Sequence, residues 1–112
     1  MNSVSLLGRL VREPELKQYE SGKVLATFTL AIDRPIKGAD GEKKTDFIPC
    51  HIWGEPANLL SKTVHKGQRI AVYNSELETG EAYEDKEGVK RYPWWVNVGR
   101  FEYVEKKEQD AQ

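Results

Sequence analysis

Residues 24–32 read VLATFTLAI, and every second side chain of this stretch is apolar. The apolar positions on one face are Val24, Ala26, Phe28, Leu30 and Ile32. Thr27 and Thr29 fall on the other face. Because successive side chains of a β-strand point to opposite sides, this pattern predicts a strand with one buried face.

A strand of the same period is predicted before it. The period of two places Val4, Leu6, Gly8 and Leu10 on one face and Arg9 on the other. The segment between the two strands, residues 12–22, contains Pro14 and a Ser-Gly pair, which are typical of turns. We therefore expect a turn there.

A third strand is predicted at residues 45–53, which read TDFIPCHIW. Its aliphatic face differs from its ring-bearing face, since Phe47, Pro49, His51 and Trp53 alternate with Ile48, Cys50 and Ile52. Pro49 has no N–H to give to a sheet, so it requires an edge, a bulge or an outward-pointing amide. The preceding residues 33–44 contain Asp40-Gly41 and predict a long basic hairpin loop.

The alternation stops at residues 56–65, where a short helix is predicted. Pro56 suits a first helical turn, Leu60 and Val64 are four residues apart, and Gly67 follows the expected end. A fourth strand begins near residue 68, and an acidic hairpin over residues 76–87 follows it.

The last strand is predicted at residues 90–104, KRYPWWVNVGRFEYV. Trp94 and Trp95 must face opposite ways in a regular strand. The period that Trp94 shares with Val96 and Val98 makes it the core candidate, which leaves Trp95 for an interface or a ligand. A shift of register at Pro93 would reverse this assignment.

The order of elements is three strands, a helix and two strands. This is the connectivity of the OB-fold, an all-β, five-stranded Greek-key barrel, here with one short helix between strands three and four. The 112 residues suffice for one domain, which we place at residues 1–104, followed by a short polar tail at 105–112. The fold alone does not give the function.

Composition and charge exclude several classes of protein. The single Cys50 excludes an internal disulfide and a multi-cysteine metal site. No long apolar run or export signal is present, so we expect no membrane partner and a cytoplasmic location. The net charge is −1, but residues 1–74 carry +3 and residues 75–112 carry −4. Outside the acidic hairpin the chain is mildly basic.

The sequence does not indicate an enzyme. Cys50 and His51 are neighbours on opposite faces of a strand, so they cannot form a nucleophile–base pair there. His65 has no partner that the sequence identifies. The known nucleotide, metal and nucleophile motifs are missing from the sequence. We therefore expect neither catalytic residues, nor a metal, nor a cofactor.

Rings and cations together favour a binder of single-stranded nucleic acid. Phe47 and Trp53 lie on the face of strand three that is not needed for the core, and exposed rings stack on bases of any sequence. Basic side chains on neighbouring elements would contact phosphates and make binding salt dependent. The candidates for these contacts are Arg9, Lys17, Arg34, Lys37, Lys43, Lys44, Lys66, Arg69 and Arg91.

Other interpretations stay open at this point. Phe47 has the strand preference of all aromatic residues, and Trp53 would equally pack on the following helix. Scattered surface lysines and arginines are ordinary. The same fold would also suit a protein-interaction module, which the acidic hairpin favours, or a binder of single-stranded RNA or oligosaccharide.

Five segments in a fixed order resemble the bacterial-type single-stranded DNA-binding protein family. They are NSVSLLGRLVREPEL (2–16), VLATFTLAIDR (24–34), TDFIPCHIWG (45–54), HKGQRIAV (65–72) and RYPWWVNV (91–98). The resemblance implies an OB-fold subunit of a homo-oligomer, a tetramer in preference to a dimer. Its partner would be single-stranded DNA, which it protects in replication, recombination or repair.

The resemblance also implies particular contact residues. The stacking positions of the family correspond to Phe47, Trp53 and, on the hairpin, Tyr83. A further aromatic position of the family falls at Ile36, so one stacking residue is missing. The basic pair that the family carries before its fourth strand corresponds to His65-Lys66, of which only Lys66 is reliably charged.

Three departures from the family carry expectations of their own. The hairpin is acidic where the family is usually basic, so its carboxylates would repel phosphates. The chain stops at EKKEQDAQ, without the acidic tail that recruits other proteins in replicative members. A short form that coats DNA without this recruitment is therefore expected. Pro49 lies in a strand that contributes to subunit contacts in the family.

Overall fold

The computed structural model describes residues 1–35 and 38–105. The described elements, in chain order, are β1 (Val4–Leu10), β2 (Glu15–Gln18), β3 (Val24–Asp33), β4 (Thr45–Trp53), α1 (Glu55–Thr63), β5 (Arg69–Thr79), β6 (Tyr83–Glu84), β7 (Lys90–Arg91), β8 (Trp94–Asn97) and β9 (Arg100–Tyr103). The interpretations placed on Ile36, Lys37 and most of the polar tail lie outside the described residues.

The strands close into a barrel. Their order is β1-β3-β4-β8-β5-β9, and β1 also pairs with β5. The described pairings are antiparallel except for β4 with β8, which run parallel. An all-β barrel with a short helix after β4 confirms the predicted OB-fold.

The core lies on the strand faces that the period of two predicted. Phe28, Leu30, Cys50, Ile52 and Ile70 are buried together with neighbouring apolar side chains. Gly8 on β1 allows a close approach, since a Cβ there would lie 2.7 Å from the carbonyl oxygen of Ala31. The aliphatic half of β4 thus belongs to the barrel interior.

Pro49 fits into β4 without breaking the sheet. Thr29 of β3 lies opposite Pro49, and its carbonyl accepts a hydrogen bond of 3.0 Å from the N–H of Val11, just after β1. The peptide groups of Thr29 therefore point toward the β1 side and away from β4. The Thr29–Pro49 pair therefore exchanges no hydrogen bonds, and Pro49 nitrogen points away from β3. Of the three possibilities that the sequence left open, the structure therefore shows the outward-pointing amide.

The helix is shifted from its predicted position. α1 runs from Glu55 to Thr63, with Pro56 in its first turn as expected. Val64 has extended backbone and caps the helix by donating its N–H to Leu60 at 2.9 Å. His65 therefore follows the helix instead of ending it. With nine residues α1 is too short to cross a bilayer, and within the described residues no helix is long and apolar enough to do so.

Two segments differ from the sequence prediction. Residues 12–22 contain a strand as well as a turn, because β2 pairs with β3 over Glu15–Gln18. The last strand, predicted to be continuous, is divided into β7, β8 and β9. The division lets β8 lie between β4 and β5, while β9 pairs with β5 further along.

The assignment of Trp94 to the core is wrong. Trp94 pairs with Thr79 at the end of β5 and is 44% exposed, although Val96 and Val98 of the same period are buried. In the described structure β8 pairs with β4 only from Val96 onward. Before that point β5 and β8 extend as a two-stranded ribbon in which β8 pairs with β5 alone, so no third strand covers Trp94.

We call this extension the ribbon: residues 76–95, which include the acidic hairpin. Its tip is formed by β6 and β7, paired as Tyr83–Arg91 and Glu84–Lys90. Asp85 closes the tip by accepting hydrogen bonds from the backbone N–H groups of Glu87 and Val89, both at 2.9 Å.

Candidate functional site

The outer face of β4 presents two large rings to solvent. Phe47 is 59% exposed and Trp53 is 42% exposed, although both lie on a strand that is paired along its whole length with β3. They face the same side because they are six residues apart. This face of β4 is the surface that the sequence selected.

A cation lies in the same row as each ring. Across the sheet, Arg9 is opposite Ala31, which is opposite Phe47. Paired residues share a face, and neighbouring strands lie about 4.8 Å apart, so Arg9 and Phe47 are anchored about 10 Å apart on one surface. Arg9 also forms an exposed 3.5 Å ion pair with Asp33.

Trp53 is supported in a similar way. Lys17 on β2 is opposite Leu25, which is opposite Trp53. The Trp53 ring stacks on Tyr19 with a centroid distance of 5.8 Å, and Lys17 Nζ lies 4.9 Å from the centre of the Tyr19 ring. These contacts hold the indole in place without covering it.

Other predicted cations have intramolecular partners. Arg34 donates two hydrogen bonds of 3.0 Å to Asp46, and this guanidinium lowers the pKa of the Asp46 carboxyl. At the turn after α1, the Lys66 N–H donates to Glu13 at 2.8 Å, whereas its ammonium group has no ion-pair partner among the described residues.

His65, for which the sequence named no partner, binds the same carboxylate. Its Nδ1 lies 2.9 Å from Glu13 Oε1, and this hydrogen bond lowers the pKa of Glu13. The contact ties the turn after α1 to the segment between β1 and β2. It fixes the backbone beside Lys66.

Tyr83 and Arg91, two of the predicted residues of the ribbon, pair with each other at its tip. Tyr83 is exposed on β6 and faces Arg91 on β7. Arg91 Nε donates to Asp85 at 2.9 Å, so its charge is partly neutralised. The structure therefore does not place Tyr83 or Arg91 in the cross-strand row of Phe47 or in that of Trp53.

Trp95 lies on the outer surface but is half-buried. Its ring stacks on His51, with centroids 4.6 Å apart and planes at 16°. Its Nε1 donates to Glu78 at 3.0 Å, and the other oxygen of Glu78 accepts from Asn97 at 3.1 Å. An acidic residue expected to repel phosphates therefore holds an indole ring in place.

His51 is the ring residue that the sequence analysis did not select. It was considered only as a catalyst, although the alternation of β4 already placed it on the face of Phe47 and Trp53. Burial lowers the pKa of His51, and nearby Glu78 partly opposes this. On the opposite face of β4, burial raises the pKa of the Cys50 thiol to about 12.

The arrangement suits binding through rings and cations. Cys50 and His51 are neighbours on β4, with the Cys50 side chain in the core, so they face opposite sides of the strand and do not form a nucleophile–base pair. Among the described residues, no group of three or more His, Cys, Asp or Glu side chains could hold a metal ion.

Comparisons with known proteins agree with this geometry. The sequence model described as the single-strand binding protein family matches residues 1–104. The chain is 36% identical to single-stranded DNA-binding protein 3 of Listeria innocua over 111 residues, which are 99% of this chain and 68% of that protein. It is 37% identical to single-stranded DNA-binding protein 1 of Lactococcus lactis over 112 residues, 100% of this chain and 73% of that one. For single-stranded DNA-binding protein 1 of Streptococcus pyogenes the identity is 39% over 111 residues, covering 99% and 84%.

Proposed function

Because the chain belongs to the single-strand binding protein family, we propose that it binds single-stranded DNA on the outer face of β4. The observation that carries this proposal is the exposure of Phe47 and Trp53 on one rigid strand, each with a cation in its row. Bases would stack on the rings, and phosphates would lie near Arg9 and Lys17.

The proposed contact set includes every residue selected from the sequence. Phe47 and Trp53 form its centre, and Arg9 and Lys17 lie beside them. The full set is Arg9, Lys17, Arg34, Phe47, Trp53, Lys66, Tyr83, Arg91 and Trp95. Arg34 and Arg91 hold their carboxylate partners at 3.0 and 2.9 Å, closer than the 3.5 Å between Arg9 and Asp33, so we expect them to contribute less than Arg9.

The proposed role is protection of single strands in replication, recombination or repair, without enzyme activity. Stacking uses the face common to all bases, so binding would tolerate any sequence. We place the binding domain at residues 1–104 and the protein in the cytoplasm.

We further propose that the chain assembles as a homo-oligomer, with a tetramer favoured over a dimer. Light scattering on a sizing column checks this directly, since one chain has a mass of 12.8 kDa. A mass of four chains is expected, and a mass of one chain at micromolar concentration would contradict the proposal.

Titration with oligo-dT tests the function. Tryptophan emission is followed at low and at high salt, with a glucose oligomer and oligo-U as comparison ligands. Stacking predicts quenched emission, and phosphate contacts predict an affinity that falls steeply with salt. A protein-interaction module would give no change at micromolar oligo-dT, and that result would overturn the proposal.

A further inference from the structure

We propose that His51 is an additional base-contacting residue, a third stacking position on β4 between Phe47 and Trp53. This inference rests on the DNA-binding function proposed above. A strand rises about 3.3 Å per residue, so Phe47 and Trp53 lie roughly 20 Å apart along β4. His51 shares their face, four residues after Phe47 and two before Trp53. A strand of DNA that contacts both rings passes over His51.

The His51 ring is supported from one side. Trp95 stacks against it at 4.6 Å, with an angle of 16° between the planes. The imidazole also lines an open depression on the outer surface, with Thr27 and Thr29 of β3 as neighbours and Arg12 among the other lining residues. Trp95 therefore backs the imidazole while part of the ring stays open to a ligand.

Trp95 is itself held in one place. Glu78 accepts a hydrogen bond from its Nε1 at 3.0 Å and another from Asn97 at 3.1 Å. Gly80 leaves room for the ring, since a Cβ at residue 80 would lie 2.9 Å from Cη2 of Trp95. Glu78 and Gly80 are thus positioning residues, which act on His51 through the indole.

The charges around His51 favour a base over a phosphate. Glu78 lies on the β5 side, Glu15 is in the same row on β2, and Glu13 lines the same depression. Arg12 is the cation among the lining residues. Burial lowers the pKa of His51, against a smaller opposing effect of Glu78, and so favours the neutral ring. A neutral imidazole among carboxylates attracts no phosphate, but it offers a flat ring to a base.

Two substitutions of His51 separate stacking from phosphate contact. The dissociation constant for oligo-dT is measured for wild type, His51→Ala and His51→Phe over a series of salt concentrations. We expect His51→Ala to bind about 5-fold or more weakly, with an unchanged salt dependence. His51→Phe keeps a ring and should bind within about threefold of wild type, on the same scale.

A double-mutant cycle with Trp95 separates direct contact from support. If His51 contacts a base, His51→Ala still weakens binding when it is added to Trp95→Ala. If His51 only supports the indole, the added substitution has no further effect, and the proposal is wrong. Circular dichroism of each variant confirms that the barrel is folded.

The remaining outcomes also decide the question. Unchanged affinity in His51→Ala overturns the inference while the function stands. A weaker His51→Ala whose salt slope falls by about one, with no recovery in His51→Phe, shows a phosphate contact and overturns stacking. Wild type that fails to bind oligo-dT overturns the proposed function, and the inference with it.

Discussion

The outer face of β4 and the ribbon both carry exposed rings, but they are built differently. β4 pairs with β3 along its whole length, and its other face fills the barrel. The ribbon is two strands wide, because β8 pairs with β4 only from Val96 onward. Its tip is made of the two-residue strands β6 and β7. Trp53 and Trp94 are almost equally exposed, at 42% and 44%, in these two settings.

The difference teaches that exposure alone does not define a binding ring. Trp53 has Tyr19 beside it and Lys17 in its row on a fully paired strand, whereas Trp94 lies in an open depression with Tyr83, Lys90 and Arg91 on the two-stranded ribbon. Because β4 is held rigidly and Arg91 is already ion-paired with Asp85, we expect β4 to be the better surface for a polyanion. The acidic side chains of the ribbon serve in part to shape it, as Asp85 does in the turn.

The largest expected effect concerns stability. Ile70→Ala removes a fully buried barrel side chain and should lower the free energy of unfolding by about 2–5 kcal/mol, while Val89→Ala in the exposed hairpin should change it by about 0.5 kcal/mol or less. Urea denaturation measures both. If Ile70→Ala does not fold, Ile70→Val should still cost about 1 kcal/mol. Equal effects would mean that the ribbon is part of the cooperative core.

The next effect compares the matched tryptophans. Trp53→Ala should weaken oligo-dT binding by about 1–3 kcal/mol, since it removes a stacking ring. Trp94→Ala should cost about 0.5 kcal/mol or less, because Trp94 lies on a two-stranded ribbon whose nearby Arg91 is already ion-paired with Asp85. Fluorescence titrations at one salt concentration give both values. Similar losses in the two variants would show that a ring on the ribbon contributes as much to binding as a ring on β4.

A smaller effect on DNA binding, opposite in sign in two variants, tests two different roles of the ribbon's carboxylates. Glu84→Ala removes a repulsive exposed charge and should tighten binding by about 0.3 kcal/mol at low salt. Glu78→Ala also removes a charge but frees the Trp95 indole, so binding should weaken by about 1 kcal/mol. Dissociation constants at low salt measure both changes. Tighter binding in both variants would refute a positioning role for Glu78.

The smallest effect is the acid response of the ribbon tip. The Val89 N–H, together with Arg91, holds the pKa of Asp85 below its usual value. Asp85 therefore stabilises the folded tip when the pH is above the ordinary aspartate pKa of about 3.9. This contribution is lost as the pH falls through the lower pKa of the folded state. An NMR titration should show Asp85 titrating at a lower pH than is usual for aspartate. In Asp85→Asn the amide signal of Val89 should no longer change over that pH range. A normal pKa would contradict the hydrogen-bonded turn.

Much of the β4 face was predictable from the sequence. The period of two in residues 24–32 and 45–53 separated core from surface, and it placed Phe47 and Trp53 outward correctly. Such a pattern succeeds because each residue of a fully paired strand meets the same two environments in turn. The short strand β2 was missed, since its four residues are all exposed and carry no alternation.

The ribbon was less predictable for a physical reason. Alternation fixes which side chains share a face, but it does not say where the neighbouring strand ends. Trp94 shares the face of Val96, yet it is exposed because the β4–β8 pairing begins only at Val96. The contact of Trp95 with His51 likewise joins residues 44 positions apart, which no local pattern indicates.

The sequence by itself determined the order of the long strands and the helix, the apolar faces of β3 and β4 and the two outward rings of β4. These follow from local rules, because backbone geometry alone sets the direction of each side chain. Only the tertiary structure decided which outward residues meet one another. The cation rows, the Glu13–His65 contact and the stack of His51 on Trp95 depend on strand register and on where strand pairing stops. Both are set by contacts between segments that are distant in the sequence.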